Sequence, residues 1–133
     1  VPIFAGFDER TGRGRLFQFD GTGGRDEERD YATTGSGSLH ATTVIKLRHH
    51  DTLDLDGAVD VVVEALFQAA DEDSATGGPD PVRGIYPIVA SITADGFERL
   101  DDQRVSERTA VLLERLGGGV VNPTQPGGSG IVR

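Results

Sequence analysis

Apolar and polar positions alternate in blocks along the chain, and the blocks differ in period. Val1–Phe7 is an apolar run that stops at the acidic, glycine-bearing stretch DERTGRG. Arg15–Asp20 follows, with Leu16, Phe17 and Phe19 apolar around a polar Gln18. Two such segments around turn residues predict a β-hairpin across a loop of five or six residues. Residues 21–30, GTGGRDEERD, hold no apolar position and predict a solvated loop. Tyr31–Thr34 predicts at most a brief strand before GSGS at 35–38.

The period then changes. Leu39, Ala41, Val44, Ile45 and Leu47 recur at helical spacing. Ser36 or Ser38 can cap that helix, and Lys46 and Arg48 suit its far end. HHDTLDLDG breaks it. The clearest helix covers Gly57–Glu72, with Asp54 and Asp56 at its start. Its apolar residues run almost all the way round, leaving Asp60, Glu64, Gln68 and Asp71 as one narrow wet stripe. Such a helix must be packed between layers, for instance a sheet and a neighbouring chain. Val61, Val62 and Val63 are poor helix formers, so burial has to hold it. Ile85–Thr93 reads as a strand that Pro87 confines to an edge or a bulge. Asp95-Gly96 signals a tight turn, Phe97–Leu100 a partner strand, and Val105–Leu116 a last amphipathic helix. Residues 117–133 are rich in Gly, Pro and Ser and are expected to form a disordered tail. The order β, β, (β), α, α, β, β, α predicts an α+β fold with antiparallel sheets rather than a dinucleotide-binding fold.

Composition narrows the function classes. The chain has 133 residues, enough for one domain at 1–116, with 22 acids against 13 bases. The net charge of −9 argues against nucleic acid and against an anionic membrane surface. No apolar run approaches the roughly 18 residues of a membrane span, and the start has no signal-peptide pattern. There is no Cys, which excludes disulfides and thiolate metal sites and fits a cytoplasmic location. There is no Met either, and the opening run is that of a sheet interior, so a processed or partial chain is expected. GTGG and GSGS lack the GK[ST] ending of a phosphate loop, so no nucleotide cofactor is expected. His49-His50 lacks a partner at helical spacing, so no metal is expected, and His40 has no visible acid to orient it.

DEDSATGGPD, residues 71–80, is harder to dismiss. Three acids close a helix at the end where negative charge is disfavoured, and hydroxyls and glycines follow at once. Taken singly, Ser36 is a helix cap and Asp73 and Ser74 a helix terminus. Taken together, Ser36, Asp73, Ser74 and Thr76 can meet in space and orient a nucleophile or an amine, although they include no nucleophile and base of their own.

TTGSGSLHA at 33–41 and ALFQAADEDSATGGPDPVRGIYP at 65–87 resemble the second half of a proteasome β subunit, most closely of the actinobacterial type. VPIFAGFDE resembles the central strand that opens that half, and the resemblance extends to about Leu116. It implies part of a four-layer αββα sandwich, the fold of the N-terminal-nucleophile hydrolases. It implies a threonine-type endopeptidase that degrades unfolded polypeptides inside stacked heptameric rings of α and β subunits, without a cofactor. In that family an N-terminal threonine attacks the peptide carbonyl and its own amine acts as base through a water. Ser36, Asp73 and Thr76 correspond to the residues that support the amine and that water, with Thr76 where many relatives have Ser. Val1 is not the nucleophile, and Thr33 and Thr34 precede GSG as they do in relatives. The nucleophile, its lysine and its first aspartate are therefore expected in an N-terminal half, attached or supplied in trans. The loop at 21–31 is expected to reach a neighbouring subunit's substrate pocket. A non-catalytic assembly subunit and an unrelated acidic binding domain are the competing readings.

Overall fold

A computed structural model describes residues 1–117. The tail expected at 117–133 lies outside the described residues, except for Gly117, which ends the last helix. Strands β1 (Ile3–Asp8) and β2 (Arg13–Phe19) form the expected hairpin, with Ile3 opposite Gln18 and Asp8 opposite Arg13. Its loop is shorter than expected, four residues, Glu9–Gly12. Asp8 closes that loop: its carboxylate accepts from Arg10 N–H and its carbonyl from Gly12 N–H. Gly12 takes a φ of 67°, which only glycine adopts without strain.

Residues 21–30 are not all loop. Arg25–Glu28 is a third strand, β3, paired antiparallel with β2, whereas Tyr31–Thr34 is not a strand. β3 has no apolar residue, so hydrophobic period could not reveal it. Its backbone ladder and its charges hold it instead. Arg15 makes a two-pronged bond to Glu27 at 3.0 and 2.9 Å, and the Arg15 and Arg25 guanidiniums both lie over the Phe17 ring. The turn into β3 is organised by Asp20, whose Oδ1 accepts from the N–H groups of Thr22 and Gly24.

Helix α1 spans Ser38–Arg48 and α2 spans Leu55–Glu72. Asp54 caps α2 through Gly57 N–H at 2.7 Å. α1 begins at Gly37 with no side-chain cap, so the capping role expected of Ser36 or Ser38 is not filled. α2 is sandwiched, but between other helices. On one side Ala65 and Ala69 pack against Ala41 and Ile45 of α1. On the other, Val59 and Val63 pack against Val105 and Leu112 of α3 (Asp102–Gly117) and against Val89 and Leu100. The stripe expected to be wet is exposed at Asp71, but at Asp60 and Glu64 it is a pairing seam. Asp60 receives both arms of Arg108, and Glu64, 2% exposed, receives Arg48 at 3.1 Å and Arg115 at 3.0 Å.

The second sheet is shorter than its sequence suggested. Only Ala90–Thr93 (β4) pairs with Gly96–Arg99 (β5), because the stretch around Pro87 stays outside the ladder. Ala94-Asp95 make the turn and Gly96, at φ 105°, opens β5. The fold is thus α+β with antiparallel sheets of three and two strands. No residue within the five strands is fully buried, and Phe4 and Phe97 are 67% and 71% exposed. Among the described residues no helix is long and apolar enough to cross a membrane.

Candidate functional site

α1 starts where α2 ends, and the GSG turn fixes that meeting. Gly35 has a φ of 103°, and its carbonyl accepts from Ser38 N–H. A Cβ on Gly37 would stand 2.5 Å from Thr76 Oγ1 and 3.2 Å from the Ala69 methyl. Only glycine lets the two segments approach this closely. Asp73 is the C-terminal cap residue of α2. Its backbone is extended, while its N–H still donates to Ala69 at 2.8 Å. That break turns the side chain toward α1.

The three residues singled out in the sequence come together there. Ser36 Oγ donates to Asp73 Oδ2 at 2.5 Å and Thr76 Oγ1 donates to the same oxygen at 2.7 Å. Ala75 N–H donates to Oδ1 at 3.1 Å. Bonds from Ser36, Thr76 and Ala75 hold the Asp73 carboxyl below its ordinary range, with a smaller contribution from the nearby charge of His40. His40 shows no acid in the sequence because Asp73 lies far along the chain, and here it acts on that carboxyl through charge alone. Ser74 does not join the cluster, as no hydrogen bond of its side chain links it to Ser36, Asp73 or Thr76.

The arrangement has a polarity. Each hydroxyl has one proton, and both protons are spent on Asp73. What Ser36 and Thr76 can still offer is lone pairs, beside an ionised carboxylate. The site suits a cationic or N–H-bearing group and repels an oxyanion. Thr33 and Thr34 are engaged elsewhere: the Thr33 hydroxyl is 2.6 Å from that of Thr42, and Thr34 donates to the Val1 carbonyl at 2.9 Å.

Comparison with known proteins gives this arrangement a setting. A family model described as proteasome subunit matches residues 1–82, which include all three cluster residues. The proteasome subunit beta of Streptomyces griseus subsp. griseus is 52% identical over 115 residues, covering 86% of this chain and 41% of that protein. That of a Parafrankia species is 51% identical over 105 residues, covering 79% and 38%. That of Frankia casuarinae is 49% identical over 116 residues, covering 86% and 42%. The chain spans about two fifths of the length of these relatives.

Proposed function

The chain belongs to the proteasome subunit family, and from that premise we propose that it is the second portion of a β-type subunit whose threonine nucleophile stands in the portion before it. The complete subunit is a threonine-type endopeptidase. It works on unfolded polypeptide inside a barrel of stacked α and β rings, seven subunits to a ring, in the cytoplasm. Residues 1–116 are this portion's share of the hydrolase domain.

The observation that carries this reading is the Ser36–Asp73–Thr76 cluster, in which both hydroxyl protons are committed to a carboxylate held ionised. In the reaction the threonine oxygen bonds to the substrate carbonyl carbon and its proton passes through a water to the threonine's own amine. A cation forms at that amine. An anionic, acceptor-only cluster stabilises it and fixes its orientation, which lowers the barrier to attack. Asp73 supplies the charge; Ser36 and Thr76 accept from the ammonium or the water. The polypeptide 1–133 alone holds these supports without the attacking group, and does not hydrolyse peptides.

The test is Asp73→Asn in the complete subunit. The substitution keeps the shape and removes the charge. Peptide hydrolysis is expected to fall by about a hundredfold in kcat with little change in KM and with ring-sized particles intact. Activity within about twofold of the parent would reduce the cluster to a helix terminus. The bare strand faces around Phe4 and Phe97 favour a second reading, a subunit that assembles without catalysis. Intact particles of the unaltered subunit that fail to hydrolyse peptides would support it.

A further inference from the structure

At the opposite end of α1 three metal-ligating side chains converge from two separate connections. Asp30 follows β3, His49 is the residue that ends α1, and Asp51 lies in the link to α2. One ligand atom of each lies within 4.8 Å of the other two, and no hydrogen bond or ion pair joins them directly. They stand along a cleft of about 500 Å³ that Ile45, Leu53 and Val61 also line. The adjacent histidines part ways here. His50 Nδ1 sits 2.9 Å from the Thr52 hydroxyl, whereas the His49 ring rests against Tyr31, centroids 6.4 Å apart, and is free to offer a nitrogen to the two acids.

Charge favours a cation in the gap. Two carboxylates this close repel unless a counter-charge stands between them. Among the described residues neither Asp30 nor Asp51 forms an ion pair, and the Arg48 guanidinium in the last turn of α1 is taken by Glu64. Arg29 lines the same cleft and Lys46 lies in that last turn, but neither bridges the two acids. The carbonyl end of α1 adds partial negative charge at His49. Metal–ligand bonds of about 2.0–2.2 Å place donor atoms roughly 3–4 Å apart, so small side-chain shifts close the site. An imidazole among the donors suits zinc-type ions better than calcium or magnesium, which take oxygen.

We propose that Asp30, His49 and Asp51 form a divalent-cation site of the zinc type, completed by water, that clips the segment after β3 to the α1–α2 connection. At 1.5 Å per residue, α1 separates it from the Asp73 cluster by about 16 Å. The site is a structural clip and takes no part in the hydrolytic chemistry.

The experiment titrates Zn²⁺, and Co²⁺ as a coloured probe, into the full chain in the assembly in which it purifies. Saturable binding of one ion per chain is expected, with visible Co²⁺ bands from nitrogen and oxygen donors. His49→Ala and Asp30→Asn should each weaken binding at least about tenfold, while His50→Ala should stay within about twofold. Zn²⁺ should raise the melting temperature of the parent and not that of Asp30→Asn, an exposed, same-shape change that leaves folding intact. Absence of saturable binding would overturn the site. So would an effect of His50→Ala as large as that of His49→Ala, or unchanged affinity in Asp30→Asn.

Discussion

Asp73 closes a helix that already carries Asp71 and Glu72 in its last turn, with no basic residue there. Each such acid, when exposed, opposes the helix by about 0.3–1 kcal/mol. Two hydroxyls and an amide aimed at Asp73 reverse the preference at that one residue and lower its pKa. The sign follows. The folded value lies below the unfolded one, so the stabilisation is present above the ordinary Asp value of about 3.9 and is lost as pH falls through the folded value. Carboxyl NMR should show Asp73 titrating below that ordinary value, and Ser36→Ala should move it back up. A midpoint at or above the ordinary value in the parent would contradict the cluster. Gly37→Ala tests the same site from the other side. Its methyl would collide with Thr76 Oγ1, so hydrolysis by the complete subunit should fall as it does for Asp73→Asn, without loss of charge. That acids and hydroxyls gather at these helix ends was legible from residue types unusual for their positions, while the role proposed for Ser36, Asp73 and Thr76 came from the resemblance. Whether Ser36 caps α1 or meets Asp73 stayed open in the sequence, because the partner lies 37 positions away.

Elements held by hydrophobic period were readable, and elements held by charge were not. α1, α2 and α3 follow their apolar spacing to within a few residues of each end. β3 has no period, since backbone pairing and Arg15–Glu27 fix it. The polar stripe of α2 shows the same blindness: Asp60 and Glu64 look solvent-facing until Arg108, Arg48 and Arg115 arrive from other helices. Glu64 is the sharpest case, a buried carboxylate between two half-exposed arginines. Glu64→Gln keeps the volume and removes the charge that both guanidiniums require. It should destabilise the fold by about 1–3 kcal/mol, read as a lower denaturation midpoint with an unchanged slope. A neutral result would mean that the two arginines hold α2 through packing alone.

At the scale of the molecule the helices carry most of the buried core, and no strand residue is fully buried. Val63, Val105 and Leu112 are at most 2% exposed, whereas Phe4 on β1 and Phe97 on β5 lie open. Sheet faces of this kind are covered in a stable protein by another layer, and a four-layer sandwich provides one. The two regions should therefore fail in different assays. Leu112→Ala removes core volume and should cost about 2–5 kcal/mol of fold stability. Phe4→Ser and Phe97→Ser remove nothing from the helical core, so that core should keep its melting temperature. They should instead shift the complete subunit from ring-sized particles toward smaller species in sedimentation, since each face loses an apolar contact that only a neighbouring layer can supply. If both variants assemble like the parent, the strand faces are not where the rest of the particle packs. The bare sheet would then need another explanation than a missing layer.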